Sequence, residues 1–389
     1  MMNEVTRQFV QAHRMEDVRQ LALSGAKAEG VDLAFALQQI AGWQTARKKL
    51  PSWAATEGLF YPPHLNMEQC SSEQTALYKR SILPVSKGTF VDLTGGFGVD
   101  FSWMSSAFDK RIYVERNADL CEVARHNFHL LGLKTEVVCL DAEDYLRQME
   151  HADVVFLDPA RRDLHGSRTY GIADCTPNVV ELLPLLMEKA GLVVLKLSPM
   201  LDWRKAVRDL GEQHVREIHI VSVRNECKEL LVVMGQGEGL RLVCVNDASV
   251  FELSTDVSAP LCQFGNPCAG MFLYEPNASV MKAGCFAELS QRFGVAPIAQ
   301  NSHLFVSTDL VVEFPGRTFQ IEAVSSLNKR ELKERFSAIS QANITVRNFP
   351  FTVAELRRRL KLNEGGSTYI FATTLVSGDR VLLICRKAM

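Results

Sequence analysis

From Thr89 onward the chain alternates short apolar runs with stretches of helical periodicity, and this alternation constrains the fold more than any other feature. The runs are Thr89–Leu93, Arg111–Glu115, Thr135–Leu140, Ala152–Leu157 and Gly191–Leu197; helical segments fall at Asp100–Phe108, Asn117–Leu131, Ala142–Met149 and Asp174–Lys189. Val154-Val155-Phe156-Leu157 and Leu192-Val193-Val194-Leu195 are apolar without a break, as in a parallel sheet covered by helices on both faces. A doubly wound α/β domain follows. After a helix at Leu201–Leu210 come two more strands, Val215–Val223 and Glu229–Met234. Only Arg224 to Lys228 separates them, too little for a crossover helix, so an antiparallel closing hairpin is expected.

Residues 1–80 have helical spacing, with Glu16–Glu29 and Leu33–Lys49 as helices and Tyr61-Pro62-Pro63 as an extended linker. A serine N-cap within Gln69–Arg80 opens another helix. Beyond the hairpin, Leu240–Val245 with Val250–Leu253, and Ser307–Phe314 with Thr318–Val324, read as strand pairs. The tail reads helix (Asn328–Ile339), strand (Asn343–Asn348), helix (Thr352–Lys361) and two strands (Thr368–Thr374, Arg380–Cys385). The expected domains are 1–80, helical; 81–236, α/β; 237–316, a small α+β insert; and 317–389, a basic α+β module. From Arg317 onward there are 13 Lys or Arg against 6 Asp or Glu, whereas the whole chain has 43 against 45. A basic module on an acidic body suits a polyanionic partner.

The first strand runs into Asp92-Leu93-Thr94-Gly95-Gly96-Phe97-Gly98, an Asp-x-x-x-Gly-x-Gly turn at the start of a helix. Such a turn lets the main chain approach a nucleotide-type cofactor. Glu115 ends the second strand, where a carboxylate can accept from both ribose hydroxyls, a need common to NAD and S-adenosylmethionine. The NAD pattern fails at its third glycine, which is Phe101. Asp141 follows the third strand and can accept from an adenine amine or cap the next helix. Asp158-Pro159 ends the fourth strand, where a carboxylate meets a substrate.

Asp92-x-x-x-Gly96-x-Gly98, Glu115, Asp141, Asp158-Pro159 and the closing hairpin together resemble the class I S-adenosylmethionine-dependent methyltransferases. The Asp158-Pro159-Ala160-Arg161 variant, the Gln69-Cys70-Ser71-Ser72-Glu73 segment and the basic tail narrow the resemblance. It becomes one to bacterial RNA methyltransferases with a ferredoxin-like insert and a THUMP-like carboxy-terminal domain. The resemblance implies a Rossmann-like, seven-stranded sheet. It implies S-adenosyl-L-methionine held by Asp92, Thr94, Gly95, Gly96, Gly98, Glu115, Asp141 and Ala142, with Asp158 and Pro159 at the methyl acceptor. It also implies an RNA partner, rRNA or tRNA. Arg161, Arg162, Tyr170 and Arg357 are candidate substrate contacts. Relatives that methylate exocyclic amines carry a second proline and an aromatic where Ala160 and Arg161 stand here.

Other readings remain: a protein, DNA or small-molecule acceptor, or a non-catalytic RNA-binding protein with a relic cofactor domain. The ten cysteines include no Cys-x-x-Cys pair and the nine histidines show no ligand spacing, so no metal is expected. With no apolar run of membrane-spanning length and a polar Met1–Gln20, a cytoplasmic protein without a membrane partner is expected.

Overall fold

The computed structural model describes residues 2–23, 29–84, 87–161, 171–254 and 262–388. It divides into two units, Met1–Glu217 with Leu230–Glu238, and Ile218–Glu229 with Gly239–Met389.

The first unit opens with helices α1 (Glu4–His13), α2 (Val18–Leu23), α3 (Leu33–Lys49), α4 (Pro51–Ala55), α5 (His64–Gln69) and α6 (Glu73–Ser81). Asp32 caps α3 by accepting from Phe35 N at 3.1 Å, and Ser72 caps α6 by accepting from Thr75 N at 3.2 Å. Capping of this kind satisfies amides that the first turn of a helix leaves unpaired. The buried Gln39 both donates to and accepts from the Tyr61 main chain, at 2.9 and 2.8 Å, which fixes the proline linker on α3.

The α/β elements follow as the alternation predicts. They are β1 (Thr89–Asp92), α7 (Val99–Met104), β2 (Lys110–Glu115), α8 (Ala118–Leu130), β3 (Glu136–Cys139), α9 (Ala142–Gln148) and β4 (Ala152–Leu157). Then come the two-residue strands β5 (Ala160–Arg161) and β6 (Cys175–Thr176), α10 (Val179–Lys189), β7 (Ala190–Leu197), α11 (Trp203–Leu210), β8 (Val215–Val223) and β9 (Glu226–Gly235). Arg224 and Asn225, with φ of 52° and 60°, turn the chain between β8 and β9, the backbone that tight hairpins require. Strands β10 (Arg241–Asn246) and β11 (Ser249–Ser254) complete a mixed sheet in the order β11-β10-β8-β9-β7-β4-β1-β2-β3. The sheet therefore has nine strands, not the expected seven. The order β3-β2-β1-β4-β7-β9-β8 accounts for the seven, and β10 and β11 extend it beyond β8. Strands β3, β2, β1, β4 and β7 pair in parallel, and β9 runs antiparallel to β7. Phe90, Phe101, Tyr113, Phe128 and Phe156 form the core against this sheet, each at most 1% exposed.

In the second unit a separate sheet has the order β13-β14-β12-β15-β18-β17-β16. Its elements are β12 (Phe272–Pro276), α12 (Ala278–Ala283), α13 (Phe286–Phe293), β13 (Ala296–Pro297), β14 (Phe305–Ser307) and β15 (Gly316–Ser325). They continue with α14 (Lys329–Phe336), β16 (Asn343–Arg347), α15 (Val353–Leu360), β17 (Thr368–Thr374) and β18 (Arg380–Lys387). Strand β15 pairs antiparallel with both β12 and β18. The strand expected over Ser307–Phe314 is not formed; β14 ends at Ser307. Leu310 and Val312 are exposed, and Phe314 packs its ring against Tyr274, Phe293 and Phe305.

Candidate active site

The site is built at the carboxyl ends of β1, β2 and β4. Asp92 ends β1 fully buried, and its Oδ1 accepts from Thr94 N at 2.9 Å, tightening the chain as it leaves the strand. Leu93 N donates to Phe156 O at 3.0 Å and Gly95 N to Val114 O at 2.8 Å, so the turn is tied to both neighbouring strands. Gly96 and Gly98 have φ of 56° and 83°. Glu115 braces the turn from β2, accepting from Gly96 N at 2.9 Å through Oε2 and from Asn117 N at 2.8 Å through Oε1. The Tyr113 hydroxyl donates to Gly96 O at 2.5 Å. Burial, and then the neighbouring Glu115 charge, pushes the Tyr113 hydroxyl well above its ordinary range, which keeps it a donor. The fourth strand is joined to the turn by Asp158 N, which donates to Thr94 Oγ1 at 2.6 Å.

Asp92, Thr94, Gly95, Gly96, Gly98, Glu115, Asp158 and Pro159 are thus brought together. Asp141 caps α9, accepting from Glu143 N at 2.9 Å, with Ala142 buried behind it. A carboxylate has lone pairs to spare after one such bond. Arg161 lies in β5, its main chain paired opposite Cys175 of β6. Its side chain, and the whole of Arg162 and Tyr170, lie outside the described residues. Arg357 is in the second unit, half-buried on α15, and donates to Ala342 O at 3.4 Å.

The electrostatics of the turn are uneven. Burial pushes the Asp92 carboxyl well above its ordinary value; the charges of Asp100, Asp158 and Glu115 add to this, while the bond from Thr94 N opposes it. Asp100, on the first turn of α7, behaves oppositely. Burial alone would raise it, but the Lys79 and Lys196 ammoniums, helped by hydrogen bonds from Ser71 and Lys79, hold it below the ordinary carboxylate range.

These two lysines were missed from the sequence. Lys196 Nζ lies 2.5 Å from Asp158 Oδ2 and 3.5 Å from Asp100 Oδ2. Lys79 Nζ lies 3.2 Å from Asp100 Oδ1, and Ser71 Oγ donates to Asp100 Oδ2 at 2.7 Å. A signal for Lys196 was present: it is a lone charge inside a run, Leu192 to Leu197, that is otherwise wholly apolar, and such charges are rarely buried unless paired. Among the described residues, no group of three or more His, Cys, Asp or Glu is placed to hold a metal ion, and no helix is long and apolar enough to cross a membrane.

Two family models match the chain: a ferredoxin-like domain over residues 272–315 and a THUMP domain-like model over residues 316–387. A search of curated proteins returns no match. Among solved structures, a Porphyromonas gingivalis W83 protein described as a "putative methyltransferase" is 32% identical, with 100% of both chains covered and a TM-score of 0.87. A Listeria monocytogenes protein described as a "putative class i s-adenosylmethionine-dependent methyltransferase" is 12% identical, covering 62% of this chain and 93% of its own, with a TM-score of 0.38. M. capricolum TrmK, solved with S-adenosyl-homocysteine, is 8% identical over 43% of this chain and 69% of its own, with a TM-score of 0.33. On the full-length match to the Porphyromonas gingivalis protein and the carboxy-terminal domain match, the chain belongs to the same methyltransferase family as that protein and ends in a THUMP-like domain.

Proposed function

We propose that the protein transfers the methyl group of S-adenosylmethionine to a base in RNA. The observation that carries this reading is the concentration of Asp92, Asp100, Glu115 and Asp158 around the glycine turn, with Lys79 and Lys196 in partial compensation. A buried carboxyl pressed by like charges gains from a cationic ligand. S-adenosylmethionine offers two cations, an ammonium and the sulfonium that carries its electrophilic methyl group. The glycines fit as well: a Cβ built on Gly96 would meet nothing nearer than Thr94 O at 3.8 Å, so the turn is open above that residue. On this reading Asp92 and the Gly95–Gly98 turn hold the amino-acid part. Glu115 accepts from the ribose hydroxyls and Asp141 from the adenine amine.

Asp158, with the Pro159 main chain, orients the acceptor atom and takes up the hydrogen bond of its N–H or O–H. The remaining work is positioning, because in-line displacement at a sulfonium asks for alignment more than for new covalent chemistry. The RNA half of the reading is supported by the THUMP-like match and by the cationic excess from Arg317 onward.

The test is transfer of labelled methyl to total RNA from a strain that lacks the protein, followed by identification of the modified nucleoside. Asp158→Ala should bind S-adenosylhomocysteine as the wild type does while losing transfer. Label on protein but not on RNA would overturn the acceptor class. No calorimetric binding of S-adenosylhomocysteine by the wild type would overturn the cofactor.

A further inference from the structure

The helices before the sheet carry two side chains that reach into the site. Lys79, on α6, and Ser71, just before its cap, both touch Asp100 of α7, and Lys79 Nζ also donates to Ser71 Oγ at 3.2 Å. Asp100 in turn contacts Lys196 at the end of β7, and Lys196 contacts Asp158 at the end of β4. The charges alternate along this line. Side-chain exposure rises outward along it, from 0% at Lys79 to 10% at Asp100, 12% at Lys196 and 39% at Asp158.

We propose that Lys79 and Ser71 are positioning residues of the methyl-transfer site, acting on Asp158 through Asp100 and Lys196. The proposal rests on the reading of Asp158 as the group that orients the acceptor. Its physical basis is a competition. One ammonium, Lys196, stands between two carboxylates, and it sits 1 Å nearer to Asp158 (2.5 Å) than to Asp100 (3.5 Å). Asp100 is more deeply buried than Asp158, so unassisted it would hold the ammonium more tightly. Lys79, whose ammonium faces Asp100 Oδ1 at 3.2 Å, and Ser71, which donates to Oδ2, offset the Asp100 charge from the other side and so release Lys196 toward Asp158. A wholly buried lysine is poor evidence for a stabilising role, since a buried ion pair commonly gains little over an apolar replacement. Setting the geometry of Asp158 is a role that an apolar residue could not fill. The helical segment before the sheet is then part of the catalytic apparatus, beyond covering the sheet.

The test uses Lys79→Met, Ser71→Ala, Lys196→Met and the double variant Lys79→Met/Lys196→Met in the full-length chain. Crystal structures of Lys79→Met and Ser71→Ala should show Lys196 Nζ moved away from Asp158 and toward Asp100. S-adenosylhomocysteine affinity should be unchanged in Ser71→Ala and no weaker in the lysine variants, which remove a compensating cation from beside the carboxylates, so a slowed transfer cannot come from lost cofactor binding. Single-turnover methyl transfer to total RNA from a strain lacking the protein should slow by about tenfold to a hundredfold in Lys79→Met, the loss that a misplacement of about 1 Å brings. The double variant should be no slower than Lys196→Met alone, because a residue that works only through another adds nothing once that partner is gone. Losses that multiply in the double variant, or a Lys196 that keeps its place on Asp158, would overturn the proposal. If Lys79→Met does not fold, Ser71→Ala, which removes no charge, decides on the same readouts. If wild-type protein labels no RNA, the acceptor class falls, while the crystallographic comparison still decides for or against the line of contacts.

Discussion

Gly96 and Gly98 both sit in left-handed backbone, yet an added methyl group should affect them in opposite ways. At Gly98 a Cβ would stand 2.6 Å from Phe128 Cζ and 2.9 Å from its Cε1. That ring cannot retreat: Phe128 is 1% exposed and packs against Phe101 and Tyr113 with centroids 5.1 and 5.3 Å away. Gly98→Ala therefore combines about 1–2 kcal/mol for left-handed backbone with about 1–3 kcal/mol for overpacking, about 2–5 kcal/mol in all. At Gly96 only the first cost applies, about 1–2 kcal/mol, because the space beyond it is open. That open space is where the cofactor should lie. Gly96→Ala should then remain the more stable variant in urea unfolding but lose more S-adenosylhomocysteine affinity by calorimetry, about tenfold or more, equivalent to about 1.4 kcal/mol. The reasoning is refuted if Gly96→Ala binds S-adenosylhomocysteine as tightly as wild type. It is equally refuted if Gly98→Ala is no less stable than Gly96→Ala.

Asp92→Asn should trade binding for stability. Because burial raises the folded-state value of Asp92 above its ordinary 3.8, the stability linked to this group is fully present below that value and is lost as pH rises through the folded value. The variant, which keeps an oxygen for Thr94 N, should melt higher than wild type at about pH 8, show little difference at about pH 4, and bind S-adenosylhomocysteine more weakly; an unchanged or lower melting temperature at about pH 8 would count against the buried charge. For RNA binding, Arg358 and Arg359 are the exposed pair on α15, and Arg359 lies 3.8 Å over the Phe351 ring. Replacing both with alanine should flatten the dependence of log affinity on log salt by about 0.7 for each phosphate that is no longer neutralised, and an unchanged slope would leave these cations merely solvated. Substitution is the cleaner probe than deletion from residue 317, because deletion would strip β15, β18, β17 and β16 from the sheet and leave β12 as an open edge.

The parts of the fold that depend on local pattern were legible in the sequence. A strand buried on both faces reads as an apolar run, which is why β1, β2, β4 and β7 fall where Phe90, Val114, Val155 and Val194 predict them. What could not be read was which strands lie side by side. The pair β10 and β11 was visible as a pair, but its place beyond β8 depends on edge pairing between distant segments, and the sequence carries no local sign of that. Ser307–Phe314 failed for a different reason. Its apolar run Leu310-Val311-Val312 suggests a strand, but Val312 is 66% exposed and Phe314 alone of the large side chains is buried, so the segment is anchored by one ring rather than by a sheet face.

The site divides along the same line. Asp92, Glu115 and Asp158 are legible because each ends a strand at one edge of a parallel sheet, and position in the pattern is enough to place them together. Lys79 carries no such mark. It stands beside Arg80 in the last turn of α6, where cations normally interact with free carbonyls, so in one dimension it is indistinguishable from a helix-end charge. Only the packing of α6 on α7 turns it inward and gives it Asp100 as a counter-ion. Arg80, its neighbour in sequence, instead reaches the exposed Ser106 hydroxyl at 3.2 Å. Two adjacent cations thus receive opposite environments from one step of about 100° around a helix. Shifting that helix by a single residue would exchange a buried counter-charge for a solvated one. The identity of residue 79 is therefore tied to the register of α6 on α7, and through Asp100 and Lys196 that register bears on where the Asp158 carboxylate sits.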